Sequence, residues 1–454
     1  MIKKLLSSQL RLNMASGVGV TVINAVAMAV AFPMYLHFLG YEKYGVWLVL
    51  ATVLSFARLG NLGIDQAVMK LVAEEHGRGD IEGVQRYVTT ALALLCLSGV
   101  LVLLLVLIFK TQIIGVFKLS EENAQTALWL LPYIGILSIY VFIVQALNAT
   151  LSGLGRIDLA NYIQSIGRIV AVTVVATLLF TGRGIESLLI GNTLSYVFIH
   201  IVSLICISHI AHIRLLRIRN LDAQRGKRIL RFGSGIFGGT VVSMLGSPFL
   251  KLMLSRYAGV STIPIYEIAF RGSMQFRGLI EAGFRAFMPE ISRISANMTK
   301  CAKDRISQLN RRAMKLINVF GIPMYTAMLI FTAPLLRVWL REEFIQIIPL
   351  AFRLMLVATF INLLGVPSYY ILLGMGRVRT VFAARCISWL TSMALVTMIA
   401  VNRNYLSVPV VCMCLIISWS LSSIYLIWRF RSAMLIYGKT VSSIEEPMFD
   451  IIHK

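Results

Sequence analysis

Charged residues recur along one face of the apolar segment 263–290. A charge at the centre of a bilayer costs about 2.5–3.5 kcal/mol, so ionisable residues at that depth are candidates for function. At 100° per residue these side chains fall within an arc of about 120°, which must face a protein interior or a wet cavity. Arginine binds phosphate oxygens through paired hydrogen bonds. This stripe of charged residues on one helix face therefore predicts a binding site for an anionic substrate. Its members are Glu267, Arg271, Arg277, Glu281 and Arg285.

Two other apolar segments also carry ionisable residues. Arg58 and Asp65 are seven residues apart in segment 45–67 and are expected on one face of one helix. Arg168 follows Asn161 and Gln164 on a polar face of segment 158–181. These side chains extend the predicted cationic path to the first half of the chain.

Buried ion pairs that fix helix register are the alternative explanation of the stripe. Glu281 stands one turn from both Arg277 and Arg285, and Glu267 stands one turn from Arg271, so pairing is expected. Three arginines against two glutamates leave the stripe cationic. The sequence has no phosphate-cradling loop, metal-ligand cluster or nucleophile–base arrangement, and it predicts no enzyme, cofactor or metal site.

Composition identifies the elements that must position these charges. Of 454 residues, 58% are hydrophobic and only 14% are charged, where a soluble domain has roughly 25% charged residues. The apolar residues form blocks long enough to span a bilayer. The sequence therefore predicts an all-α polytopic membrane protein of about twelve spans. They lie near 14–36, 45–67, 87–109, 126–150, 158–181, 185–207, 229–254, 263–290, 313–336, 345–373, 379–401 and 406–428.

The net charge of +23 follows from membrane topology and not from nucleic-acid binding. Lysine and arginine concentrate in alternate loops, above all 208–228 and 291–312. Because basic loops stay in the cytoplasm, both termini are predicted to be cytoplasmic. These loops also predict contacts with anionic membrane lipids.

The chain repeats itself at an offset of 218 to 222 residues. Gly40 matches Gly259, and a Gly-x-Gly-Arg sequence at 153–156 matches one at 374–377. The repeat predicts a six-helix lobe at 1–210, a basic cytoplasmic linker at 211–228 and a second lobe with a short tail at 229–454. An even number of spans keeps the lobes parallel, with a pseudo-twofold axis along the membrane normal and a central cavity.

Three stretches resemble a known family. FLGYEKYGVW at 38–47, LGNLGI at 59–64 and the Gly-x-Gly-Arg sequence ending at Arg156 are similar to bacterial polysaccharide flippases. These are the O-antigen and exopolysaccharide members of the multidrug/oligosaccharidyl-lipid/polysaccharide exporter superfamily. Many members carry an acidic residue shortly before the glycine pair of the second span, where this chain has Arg58.

The resemblance implies a flippase of the bacterial inner membrane. Its substrate would be an oligosaccharide on undecaprenyl diphosphate, moved from the cytoplasmic to the outer leaflet by alternating access. Polysaccharide polymerase and assembly proteins are the implied protein partners. The predicted substrate-binding residues are Arg58, Arg168, Arg271, Arg277 and Arg285. The candidates for ion coupling are Asp65, Glu267 and Glu281.

Two other functions compete with this interpretation. A multidrug exporter of the same superfamily is the alternative, and the cationic path weighs against it. A polysaccharide polymerase or ligase would carry a large outside loop with catalytic residues. The longest predicted outside loop covers only 110–125.

Overall fold

The computed structural model describes residues 8–211, 221–285, 291, 294 and 300–452. Within these residues the chain forms fourteen α-helices and no strand. The first unit contains α1 Ser8–Ala57, α2 Ile64–Gly77, α3 Ile81–Ile108, α4 Lys110–Val116, α5 Glu121–Gly153, α6 Ile157–Phe180, α7 Glu186–Ala211 and α8 Ala223–Ala258. The second contains α9 Thr262–Arg285, α10 Lys300–Leu316, α11 Ile322–Leu340, α12 Ile347–Gly374, α13 Val378–Arg403 and α14 Val408–Ile452.

The helices coincide with the predicted spans. Nine segments of the described chain are long and apolar enough to cross a membrane. The first, Gly19–Asn61, covers two predicted spans, and α1 bends between them at Gly40, where φ is 67°. Predicted spans seven and eight coincide with α8 and α9, which are not among the nine. The all-α membrane fold is thus confirmed.

The first unit is organised around α5, which packs against α1, α2, α3, α6 and α7. Its core includes Val88 of α3, Phe142 of α5 and Ile229 of α8, all fully buried. Helix α8 packs on α1, α2 and α3, so contacts group it with residues 1–261. The predicted lobe boundaries at 210 and 229 rest on the internal repeat and stay a prediction.

In the second unit α12 takes the central position. It packs against α9, α11, α13 and α14. A buried cluster joins Ile306 of α10, Leu372 of α12, Val381 of α13 and Phe430 of α14. Helix α10 passes into α11 through a π-helical turn, Ile317–Gly321, and the resulting apolar segment runs from Lys303 to Glu343.

The helix expected to carry Arg58 and Asp65 together is broken between them. Arg58 starts a 3₁₀ turn, Arg58–Asn61, and Asp65 lies in the first turn of α2. Leu62 and Gly63 between them have φ values of 52° and 74°. A Cβ on Gly63 would stand 2.7 Å from the carbonyl oxygen of Gly233. The prediction of one continuous helix here is therefore wrong, because a left-handed glycine packed on backbone ends it.

The repeated Gly-x-Gly-Arg sequence forms the same cap twice. The N–H of Arg156 donates to the carbonyl of Leu151 at 3.0 Å, and that of Arg377 donates to Leu372 at 2.9 Å. Gly155 and Gly376 precede these arginines with φ values of 79° and 75°. Both bonds belong to a Schellman motif, in which a left-handed glycine closes the helix.

Candidate functional site

A polar cavity lies inside the first unit. Its volume is about 290 Å³, and four helices and the 3₁₀ turn line it. Two arginines and a group of side-chain amides supply its polar surface, and none of its lining residues is acidic. The polar lining residues are Asn24, Arg58, Gln145, Asn148, Gln164, Arg168, Asn192, Ser195 and Tyr196.

Arg58 enters this cavity with part of its hydrogen-bonding capacity unused. Its Nε is buried and has no hydrogen-bond partner among the described residues. The same holds for Oδ1 of Asn148. Nearly all buried polar groups in proteins are hydrogen-bonded, so such exceptions need an explanation. A bound polar ligand or water supplies one.

The neighbouring amides are held in place by contacts of their own. Asn61 in the 3₁₀ turn donates to Oε1 of Gln145 at 3.0 Å. Arg168 donates through Nε to Oδ1 of Asn24 at 3.4 Å. Gln164 lies one turn before Arg168 and also lines the cavity, as the polar face predicts. Asn161 instead donates to Ser16 at 2.9 Å and packs α6 on α1.

Asp65 is not among the residues that line this cavity. Its backbone N–H donates to Oδ1 of Asn61 at 3.3 Å, and its carboxylate accepts from the N–H of Gln66 at 2.8 Å. The carboxylate thus lies in the first turn of α2, where negative charge is favourable. The structure brings Arg58 and Arg168 to one cavity and leaves Asp65 outside it.

The stripe of the second unit lies on α9, and its described members form ion pairs. Arg271 pairs with Glu267, whose side chain is only 1% exposed. Arg277 pairs with Glu281 at 3.2 Å. The pairing expected from the one-turn spacing is therefore present. The described stripe is neutral, since two arginines meet two glutamates.

Arg277 and Glu281 belong to a larger network. Glu281 also accepts a hydrogen bond from the Tyr370 hydroxyl of α12 at 2.8 Å. The Nε of Arg277 is buried and lacks a partner within the described chain. Arg285 ends α9, and its side chain lies outside the described residues. The excess positive charge predicted for the stripe depends on Arg285 alone.

Other intramembrane arginines contact groups in their own unit. Arg385 of α13 donates to the Tyr369 hydroxyl, and its guanidinium lies 5.4 Å from the centre of that ring. Arg353 donates to the carbonyl of Leu329 at 3.1 Å. Arg385 lies about one turn from the position that the repeat pairs with Arg168. Arg168 of the first unit lines a cavity, whereas Arg385 of the second unit lies over the ring of Tyr369.

Sequence reasoning missed most of the amides of the cavity. Asn24 of α1 and Asn192 of α7 are isolated amides in apolar spans, and α5 carries Gln145 and Asn148. Each alone is uninformative. The detectable signal is their recurrence, because an amide in hydrocarbon is costly unless it is hydrogen-bonded.

Comparison with known proteins identifies the family. A sequence profile described as "Polysaccharide biosynthesis protein" matches residues 10–295. This chain belongs to the polysaccharide biosynthesis protein family. A putative O-antigen transporter of Shigella flexneri is 21% identical over 411 residues, covering 88% of this chain and 92% of that protein.

Solved structures place this family member in a wider fold group. A multidrug resistance MATE family transporter of the MOP superfamily, in an inward-facing conformation, matches with a TM-score of 0.74 at 15% identity. The match covers 96% of each chain. The lipid II flippase MurJ, in an inward closed conformation, matches with a TM-score of 0.73 at 15% identity over 95% of this chain and 93% of that one. The resemblance read from the sequence and the fold class are both confirmed. The protein is a multi-pass membrane protein of the polysaccharide biosynthesis protein family.

Proposed function

We propose that this protein flips an undecaprenyl-diphosphate-linked oligosaccharide from the cytoplasmic to the outer leaflet of the bacterial inner membrane by alternating access. The protein is a transporter in this proposal and catalyses no covalent step. The observation that carries the proposal is the cationic cavity with the unsatisfied Nε of Arg58. Membership of a polysaccharide biosynthesis family supports a glycan-linked passenger.

The cavity suits the diphosphate of such a substrate. Its volume of about 290 Å³ is at the lower end of small-molecule sites, too small for a whole oligosaccharide. Arg58 and Arg168 offer planar guanidinium groups to phosphate oxygens. The surrounding amides can donate to phosphate or accept from sugar hydroxyls. Arg271, Arg277 and Arg285 complete the proposed binding set in the second unit.

We propose that carboxylates within the apolar segments couple transport to an ion gradient. Among Asp65, Glu267 and Glu281, the last is favoured because it links α9 to α12: it pairs with Arg277 of its own helix and accepts a hydrogen bond from Tyr370 of α12. Protonation of Glu281 would cancel the charge that strengthens both contacts. Arg277 would then be free to bind phosphate, which links proton entry to substrate binding.

Deletion of the gene in its native host tests the proposal. A flippase deletion removes surface polysaccharide and leaves lipid-linked oligosaccharide in the cytoplasmic leaflet. Complementation with the intact gene should restore the surface polymer and clear the intermediate. A multidrug exporter predicts the opposite pattern, with normal surface glycan and increased drug sensitivity. That second pattern would refute the flippase proposal.

A further inference from the structure

A second and more apolar cavity opens beside the start of α8. Its volume is about 920 Å³, against about 290 Å³ for the polar cavity. Leu62, Leu221 and Leu230 line it and are between 38% and 49% exposed. We refer to this cavity as the α8 groove. Its other lining residues are Thr90, Ala93, Leu94, Asp222, Ala223, Gly226, Lys227 and Arg231.

One short turn of the chain connects the α8 groove to the polar cavity. Arg58 begins the 3₁₀ turn and lines the polar cavity, whereas Leu62 directly follows the turn and lines the groove. At a 3₁₀ rise of about 2.0 Å per residue, these two residues are about 8 Å apart along the chain. The two cavities share no lining residue. They are therefore neighbouring sites of different chemistry.

Helix α3 fixes the distance between the two sites. Ser98 of α3 donates to the carbonyl of Gly60 in the turn, and a Cβ on Gly60 would stand 2.9 Å from a methyl group of Val102. Leu94, one helical turn or about 6 Å before Ser98, lines the groove. In the proposed orientation α3 begins in the cytoplasm, so the groove lies on the cytoplasmic side of the turn that carries Arg58.

The wall of the α8 groove suits an apolar chain. Among the described residues, its α3 side carries no charge. The hydroxyl of Thr90 on that side accepts from the N–H of Asp222 at 3.2 Å. On the α8 side Lys227 and Arg231 are exposed, and their long aliphatic stems can cover apolar surface while their charged ends point away from it.

A polyprenyl diphosphate carries the same two chemistries side by side, since its charged diphosphate is bonded directly to an apolar isoprenoid chain. We propose that the α8 groove binds the part of the isoprenoid chain next to the diphosphate, while the diphosphate itself lies at Arg58 and Arg168. This inference rests on the proposed flippase function and names the site of the lipid tail. Membrane lipid is as apolar as leucine, so the groove acts by van der Waals contact and orients the substrate.

Photolabelling of the full-length protein in lipid nanodiscs can locate the chain. The probe is a polyprenyl diphosphate with a diazirine in the isoprenoid unit nearest the diphosphate. We expect the label on α3 at residues 90–94 and on Leu62. Unlabelled undecaprenyl diphosphate should compete with the probe, and phosphatidylglycerol should not. Arg58→Met should lower the labelling by roughly tenfold or more, because it removes the charged hydrogen bonds to the diphosphate.

A pair of tryptophan variants on α3 provides a matched control. Ala93→Trp fills the groove, so both the labelling and the surface polysaccharide should fall. Leu97 lies one turn further along α3, is 60% exposed and does not line the groove. Leu97→Trp should therefore keep both at the level of the unmodified protein. Melting curves without added ligand show whether each variant is folded.

A second measurement separates this inference from the flippase proposal. Undecaprenyl diphosphate should raise the melting temperature of the unmodified protein and not that of Arg58→Met. Such stabilisation without label in the groove would overturn the tail site and leave the flippase proposal intact. Absence of stabilisation, together with normal surface polymer in the deletion strain, would overturn both. Equal competition by phosphatidylglycerol would assign the groove to bulk membrane lipid and would also overturn the tail site.

Discussion

Replacing Arg58 with methionine should separate transport from stability. Methionine fills a similar volume without charge. Arg58 Nε has no acceptor in the described chain, so the change breaks no bond there and removes a charge that is costly to bury. We expect an increase in the free energy of unfolding on the order of 1 kcal/mol.

The effect on transport should have the opposite sign. A fork of two charge-assisted hydrogen bonds to phosphate contributes roughly 3–6 kcal/mol, at about 1.5–3 kcal/mol each. Its loss weakens substrate binding by about 100-fold or more. Surface polysaccharide should therefore fall to the level of the deletion strain, although the protein reaches the membrane normally. Arg58→Lys keeps the charge and loses the fork, so it should retain part of the activity.

The matched control is another intramembrane arginine. Arg385→Met loses a hydrogen bond to Tyr369 and a cation–π contact, so the free energy of unfolding should fall by about 1–2 kcal/mol. Surface glycan should persist. The two readouts are the melting temperature in detergent and the amount of surface polymer per membrane-inserted protein. Normal glycan with Arg58→Met, or a destabilisation equal to that of Arg385→Met, would refute the reasoning.

Three further changes test other parts of the structure. Glu281→Gln removes the charge that pairs with Arg277. Glycan export in whole cells should therefore lose its dependence on the ion gradient. An unchanged dependence would exclude Glu281 as the ion-coupling residue. Alanine at Gly155 or Gly376 should cost about 1 kcal/mol each, since both need a positive φ, and clearly unequal melting temperatures would contradict the shared cap. Asp222→Ala should lower the free energy of unfolding by about 1 kcal/mol at neutral pH. The N–H of Arg225 holds the Asp222 pKa below its usual value. The Asp222 contribution is therefore complete above about pH 4 and is lost as pH falls through the lowered pKa, so the mutant and the unmodified protein should converge in acid.

The spans and the repeat could be predicted because each rests on a local property of the chain. Apolar runs of about 20 residues identify membrane helices, and a glycine with positive φ closes the same cap at Gly155 and at Gly376. The break between Arg58 and Asp65 could not be predicted in this way. It depends on the backbone of Gly233, which is distant in sequence.

The candidate site was predicted only in part, because some of its residues stand out locally in the sequence and others do not. Arg58 and Arg168 are conspicuous charges in apolar segments, and the structure places both in one cavity. The stripe on α9 was correctly placed on one helix, and the predicted ion pairs of Arg271 and Arg277 are present. Its predicted excess of positive charge stays a prediction, because it rests on Arg285. Asn24 and Asn192 became recognisable only once packing had brought their helices together.

The cavity around Arg58 also constrains how the protein is made. During synthesis the span that carries Arg58 enters the bilayer before the amides of α5, α6 and α7 have emerged from the ribosome. Until those helices are inserted, the unshielded charge of Arg58 raises the free energy of the inserted span by about 2.5–3.5 kcal/mol on insertion scales. The later helices then surround it with Gln145, Arg168 and Asn192. If synthesis stopped before α7, this charge would be exposed to lipid. Membrane proteases could then recognise the incompletely assembled chain by that exposed charge.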